Sequence, residues 1–167
     1  ELWLSWTTLR AKTLYENFLL YNLKNLEDLP LQAYWEYEKG KSIETNDILK
    51  AIEIRNKYID KIQNLFNHYD FLALPSAQLF PFDKNLNNPE FINNNKIDTY
   101  HRYMEVYTLS SLLGLPTISI PVGFNNKGLP MGMQIIANVK EDNKVINFAK
   151  SYEEIFNFSK FKPELTE

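Results

Sequence analysis

The chain has 167 residues, 44% of them hydrophobic and 23% charged, with 18 basic residues against 21 acidic ones for a formal charge of −3. That is ordinary composition for one globular domain or a large piece of one; it lacks the concentrated positive charge that nucleic acid demands, and no apolar run approaches the roughly 20 residues that cross a bilayer. The absence of cysteine excludes disulfides, thiolate nucleophiles and Cys-ligated zinc or iron–sulfur centres.

The first half reads as helical. Ala11, Leu14, Phe18 and Tyr21 recur at helical spacing, with Leu2, Trp3 and Trp6 adding apolar surface ahead of them. Pro30 marks a break, and residues 31–39 (LQAYWEYEK) predict a short helix closed by Gly40. The strongest periodicity follows: Ile48, Ile52, Arg55, Ile59, Ile62, Phe66 and Tyr69 lie on one stripe, predicting a helix from about 46 to 69. Thr45 is the expected cap, and Asp47 sits where the helix dipole favours an anion.

The texture then changes. Phe71-Leu72-Ala73-Leu74, ended by Pro75, predicts a short buried strand feeding a loop. Residues 76–99, rich in Asn and Asp with two prolines, read as one long polar loop, and the Asn93-Asn94-Asn95 run as compositional bias. Residues 100–113 predict a helix, and Thr117–Phe124 and Met131–Ala137 predict two strands separated by turn-forming Asn125-Asn126-Lys127-Gly128, with Pro130 opposing a two-residue hairpin. A last helix is expected from Asp142 to Phe156 on Val145, Ala149, Tyr152 and Phe156, followed by a polar tail from Lys160 to Glu167. Three strands make a thin sheet, so further strands are expected from outside this chain. The chain starts at Glu1 without methionine, which reads as a processed end or an internal piece of a longer protein.

Few residue patterns carry chemistry. Four of the five glycines lie between Gly114 and Gly132, marking the most constrained backbone. Gly123 and Gly128 have phosphate-loop spacing, but Leu129 stands where the lysine must be. Asp98, His101 and Glu105 can share a helical face, read here as polar surface in preference to a metal cluster. Ser76, Ser110, Ser111 and Ser119 are the hydroxyl candidates, yet none has a histidine at motif spacing, and His101 or Lys127 becomes a base only through folding. Glu153-Glu154 diverge on their helix and read as solvated, and the sequon Asn157-Phe158-Ser159 is expected by chance in so asparagine-rich a chain.

Residues 113–137 (LGLPTISIPVGFNNKGLPMGMQIIA) resemble the C-terminal region of amidase signature hydrolases, with Gly114, Leu115, Pro116, Pro121, Gly123, Phe124, Gly128, Leu129, Pro130, Gly132 and Gln134 in register. The strand YDFLALPSAQ at 69–78, the stretch DTYHRYMEV at 98–106 and the closing helix over 145–153 are similar as well. The resemblance implies an α/β fold, the C-terminal part of an α/β/α amidase signature fold with a mixed sheet flanked by helices. It would be one incomplete domain: a helical segment at 1–70, strands and a pocket-lining helix at 71–137, and a closing helix and tail at 138–167.

The family cleaves carboxamides with a serine nucleophile, a bridging serine held by a cis peptide and a lysine base, the serines lying in a Gly/Ser-rich segment. No such string occurs here. The resemblance therefore implies no catalytic residue in this chain, no metal and no cofactor. Pocket-wall roles fall to Ser76, Gln78, Tyr100, Tyr103 and Met104, with an acidic substrate-binding group of some relatives near Met104 or Glu105. The implied partners are the N-terminal catalytic part of the same protein and a small amide substrate, or a second copy in a homodimer covering exposed apolar surface, in a cytoplasmic protein without nucleic-acid or membrane contacts. The rival readings are a non-catalytic binding or assembly module of the same descent, and an unrelated helical interaction domain in which Gly114–Gly132 is exposed loop.

Overall fold

Three helices take up the N-terminal stretch: α1 (Leu2–Leu20), α2 (Leu31–Lys41) and α3 (Thr45–Phe66). They belong to a computed structural model that describes residues 1–21, 26 and 29–162. The chain divides into two compact units, Glu1–Ile62 and Gln63–Glu167. In the first, of the α1 face that the spacing predicts, Ala11 is buried, Leu14 and Phe18 are half-buried, Phe18 against the Tyr37 ring, and only Tyr21 is exposed, at 79%; the helix buries Ser5, Thr8 and Ala11 most deeply. The reason is a close helix crossing. Gly40 lies inside α2 instead of capping it, and a Cβ there would run into the Ala11 carbonyl oxygen and stand 2.5 Å from Tyr15 Cβ. Small residues on both helices permit the approach. Ser5 Oγ donates to the Ala51 carbonyl of α3 at 2.7 Å, and Arg10 Nε meets the buried Glu36 carboxylate of α2 at 3.0 Å.

The periodic segment forms α3 with small corrections. Thr45 is its first helical residue, and the Glu44 N–H donates to the Asp47 carboxylate at 3.1 Å, the reach-back half of a capping box. Ala51 and Ile62 are the buried residues, while Ile52 is 40% exposed and Tyr69 lies beyond the helix end.

The second unit is built on a three-stranded sheet of β1 (Leu72–Pro75), β4 (Thr117–Phe124) and β5 (Pro130–Ile136), in the order β1-β5-β4. Both pairings are antiparallel, Leu74 opposing Gln134 and Ser119 opposing Gln134 from the other side. β1 is an edge strand with alternating burial, not the fully buried strand its apolar run predicts. Pro121 is tolerated because β4 is the other edge, and a bulge follows it before Gly123. The β4–β5 loop is the asparagine turn: Asn125 Oδ1 accepts the N–H of Lys127 at 2.9 Å and of Leu129 at 3.0 Å, and Gly128 takes φ +74°.

The stretch read as one long loop contains a small hairpin, β2 (Phe91–Ile92) with β3 (Asn95–Lys96). Asn93 and Asn94 connect them at φ 48° and 64°, the two positive values that this turn needs and asparagine tolerates. Residues 100–113 split into a 3₁₀ helix (Arg102–Tyr107) and α4 (Thr108–Leu113), which Gly114 ends in the left-handed conformation. α5 (Asp142–Phe156) has the predicted bounds. Its Val145, Ala149 and Tyr152 pack with Ile118, Ile120, Met133 and Ile135 on one sheet face. A short 3₁₀ turn (Phe158–Lys160) follows; of the polar tail, residues 163–167 lie outside the described residues. Large apolar side chains are left exposed, Leu20 at 81%, Leu31 at 79% and Ile155 at 75%.

Candidate functional site

Strand alternation divides the sheet of the second unit. Ile118 and Ile120 face α5, so Ser119 and Pro121 point the other way, together with their β5 partners Gln134 and Gly132. This second face carries the site. Gln134 is 1% exposed and ties three elements together: its Nε2 donates to the carbonyls of Pro75 at 2.9 Å and Val106 at 3.1 Å, and its Oε1 accepts from Ser110 Oγ at 3.4 Å. The end of β1, the 3₁₀ helix and α4 are thereby fixed to the central strand.

Beside this clasp is an open pocket of about 450 Å³. Its floor is Gly132, flanked by two serines. A Cβ on Gly132 would clash with Ser76 Oγ and stand 3.1 Å from Ser119 Oγ, and the Ser76 N–H donates to the Gly132 carbonyl at 2.9 Å. Glycine lets the two serine hydroxyls approach the strand closely here; its φ needs no special freedom. The walls are apolar and aromatic: Leu79, Phe82, Tyr103, Tyr107, Pro121 and Met131. Phe82 and Tyr103 meet edge to face, with centroids 5.7 Å apart at 81°. Among the described residues no Lys, His, Asp or Glu lines the pocket. It can hold and orient a neutral group, but none of its described lining residues is a base that could take a proton from either serine.

The structure brings Ser76 and Tyr103 together in this pocket. Gln78 lies in an adjoining polar depression of about 320 Å³, with Arg102 and Glu105. Its amide, oriented by its hydrogen bonds, donates to the carbonyls of Arg102 at 3.0 Å and Tyr103 at 3.1 Å, which fastens the 3₁₀ helix. Tyr100 and Met104 line neither cavity. Tyr100 stacks on the fully buried His101 at 4.5 Å, and the Met104 N–H donates to the His101 carbonyl at 2.9 Å. Asp98 and Glu105 both engage Arg102, at 3.1 and 3.2 Å. Among the described residues no group of three His, Asp or Glu side chains is placed to hold a metal ion. None of the described helices is long and apolar enough to cross a membrane.

Sequence reasoning weighed Ser119 only as a nucleophile and Gly132 only as part of a glycine-rich block. The signal for both was the pairing of β5 with β1 and β4, which brings residues distant in sequence over one glycine. Lys144, at the start of α5, bridges Asp70 at 2.9 Å and Glu141 at 3.3 Å; the hydrogen bond to Asp70 raises its pKa above the ordinary lysine value. That cluster ties α5 to the entry of β1 and lies outside the pocket lining.

The sequence profile of the family described as Amidase matches residues 26–146. A glutamyl-tRNA(Gln) amidotransferase subunit from Prochlorococcus marinus subsp. pastoris is 35% identical over 118 residues, covering 70% of this chain and 23% of that protein. Its counterpart from Rickettsia bellii is 33% identical over 117 residues, covering 69% and 22%. The chain thus spans less than a quarter of the length of these curated relatives. Among solved structures, a bacterial aryl acylamidase of the amidase signature enzymes superposes with a TM-score of 0.81 at 23% identity, over 93% of this chain and 34% of the other. A 6-aminohexanoate cyclic dimer hydrolase does so at 0.66 and 17%, over 95% and 34%. At these identities the likeness to solved structures is one of fold.

Proposed function

The chain belongs to the amidase family, and from that premise we propose that it is the C-terminal portion of an enzyme that hydrolyses carboxamide C–N bonds. In this reading the nucleophilic serine, the bridging serine and the lysine base lie in preceding polypeptide. The serine oxygen adds to the amide carbon, the C–N bond breaks as a proton reaches the leaving nitrogen, and water then releases the acid. This chain forms an incomplete domain: residues 1–70 are a helical segment, 71–137 supply sheet and cleft wall, and 138–167 are the closing helix and tail. Ser76 and Tyr103 face substrate, while Gln78, Tyr100 and Met104 hold the wall in place. The complete protein works in the cytoplasm on a small amide, with no cofactor.

The observation that supports this reading most is the composition of the pocket: two serine hydroxyls, aromatic walls and no base among its described lining residues. A wall that binds without reacting is what a cleft needs when its bond-breaking groups come from elsewhere. The amidotransferase relatives favour a second form of the reading, in which the nitrogen released from the amide is passed to an acceptor.

The test is the reading frame ahead of Glu1. It is expected to encode a Gly/Ser-rich segment with two serines and, before it, a lysine; serine-to-alanine substitution at the nucleophile in the complete protein should abolish ammonia release from a simple carboxamide. A frame without such a segment would replace this reading by the non-catalytic binding or assembly module.

A further inference from the structure

We propose that the floor formed by Ser76, Ser119 and Gly132 is a subsite for the polar substituent of a neutral, single-ring aromatic group, with Ser119 as its specificity-determining residue. Calling that ligand part of an amide substrate rests on the function proposed above; its binding does not. The first ground is the state of the hydroxyls. Ser5, Ser42 and Ser110 each donate to another group of the chain. Ser76 and Ser119 make no hydrogen bond through their hydroxyls to any described residue, and both face the same cavity. A hydroxyl is both donor and acceptor, so the pair can meet a phenolic, amino or carbonyl substituent.

The second ground is the wall. Phe82, Tyr103 and Tyr107 offer faces and edges for a ring, and Leu79 and Met131 offer aliphatic contact. A volume of about 450 Å³ admits one substituted ring with room for its linkage to leave through the open side. Among the described residues no charged side chain lines the pocket, so a charged ligand would lose hydration without a partner there. The third ground is Gly132: any side chain there would displace the Ser76 hydroxyl and raise the floor.

The probes are p-cresol and toluene, which differ by one hydroxyl, titrated into the 167-residue chain with binding read from NMR shifts of Ser76, Ser119 and Gly132. The wild type should bind p-cresol about threefold to tenfold more tightly than toluene, the effect of one net hydrogen bond. Ser119→Ala, at an exposed position on an edge strand, should bring that ratio towards one and leave toluene affinity unchanged. Gly132→Ala should weaken both probes, and should it fail to fold, Ser119→Ala still decides. Equal affinity of the wild type for the two probes, an unchanged ratio in Ser119→Ala, or no binding at these residues would overturn the proposal. Lack of amide turnover by the complete protein would sink the proposed function and leave these binding ratios as they are.

Discussion

Gly40→Ala sets two physical effects of opposite sign against each other. Gly40 is the penultimate residue of α2, where alanine is still the better helix former, by at most about 1 kcal/mol, so propensity alone makes the variant more stable. The crossing with α1 says otherwise. The new Cβ would overlap the Ala11 carbonyl oxygen and stand 2.5 Å from Tyr15 Cβ. Neither obstacle is the end of a flexible side chain, so the two helices must separate. Overpacking of this kind costs about 3 kcal/mol at the upper end of its usual range, which leaves a net loss of about 2 kcal/mol after the propensity gain. Trp3, Trp6 and Trp35 all lie on α1 and α2, so urea unfolding followed by tryptophan fluorescence reads this unit directly. At a urea slope of about 1–2 kcal/mol/M the midpoint should fall by about 1–2 M. A midpoint that rises would show that propensity wins and that the close crossing is not what selects glycine.

Three further outcomes follow from the second unit. Gln134→Leu removes the side-chain donor from the Pro75 and Val106 carbonyls and should lower unfolding stability by about 2–3 kcal/mol; a change under about 0.5 kcal/mol, the scale of a neutral surface substitution, would contradict the clasp role. Asn125→Ala removes the acceptor for two loop N–H groups and should cost about 1 kcal/mol, with hydrogen exchange at Lys127 and Leu129 accelerating; unchanged exchange there would refute the turn geometry. The Glu153 carboxyl is held below its ordinary value of 4.5 by the Ser159 hydroxyl and then by the Ser159 N–H. A depressed carboxyl contributes stability that is present at neutral pH and lost as pH falls through the folded value, so the NMR shift of the Ser159 amide proton should follow the Glu153 carboxyl with a midpoint below 4.5 and become insensitive to pH there in Glu153→Gln; a midpoint at or above 4.5 would reverse the sign.

Periodicity made α5 legible to the residue, because Val145, Ala149 and Tyr152 are large apolar groups repeating on the face that meets the sheet. In α1 it finds Ala11, Leu14 and Phe18 but not Ser5 and Thr8, whose small polar side chains are buried and leave little trace in an apolar-stripe search. Gly40 looked like a helix stop because glycine often serves as one; only the position of α1 shows that it is a crossing point. The Asn93-Asn94 turn was visible in principle, since two left-handed asparagines between short strands form a hairpin, but asparagine is common enough in this chain to mask it. In the pocket, Ser76 and Tyr103 were readable from the resemblance. Ser119 and the hold of Gln134 on three elements were not, because strand pairing, a non-local event, creates both.

The account stands or falls on where the bond-breaking groups reside. Ammonia release from a simple carboxamide, measured on this chain by itself and on the complete protein, tests that directly. The account predicts no turnover above buffer for the 167-residue chain and serine-dependent turnover for the complete protein. Turnover by the chain by itself, abolished by Ser76→Ala or Ser119→Ala, would place the nucleophile in the pocket described here and contradict it.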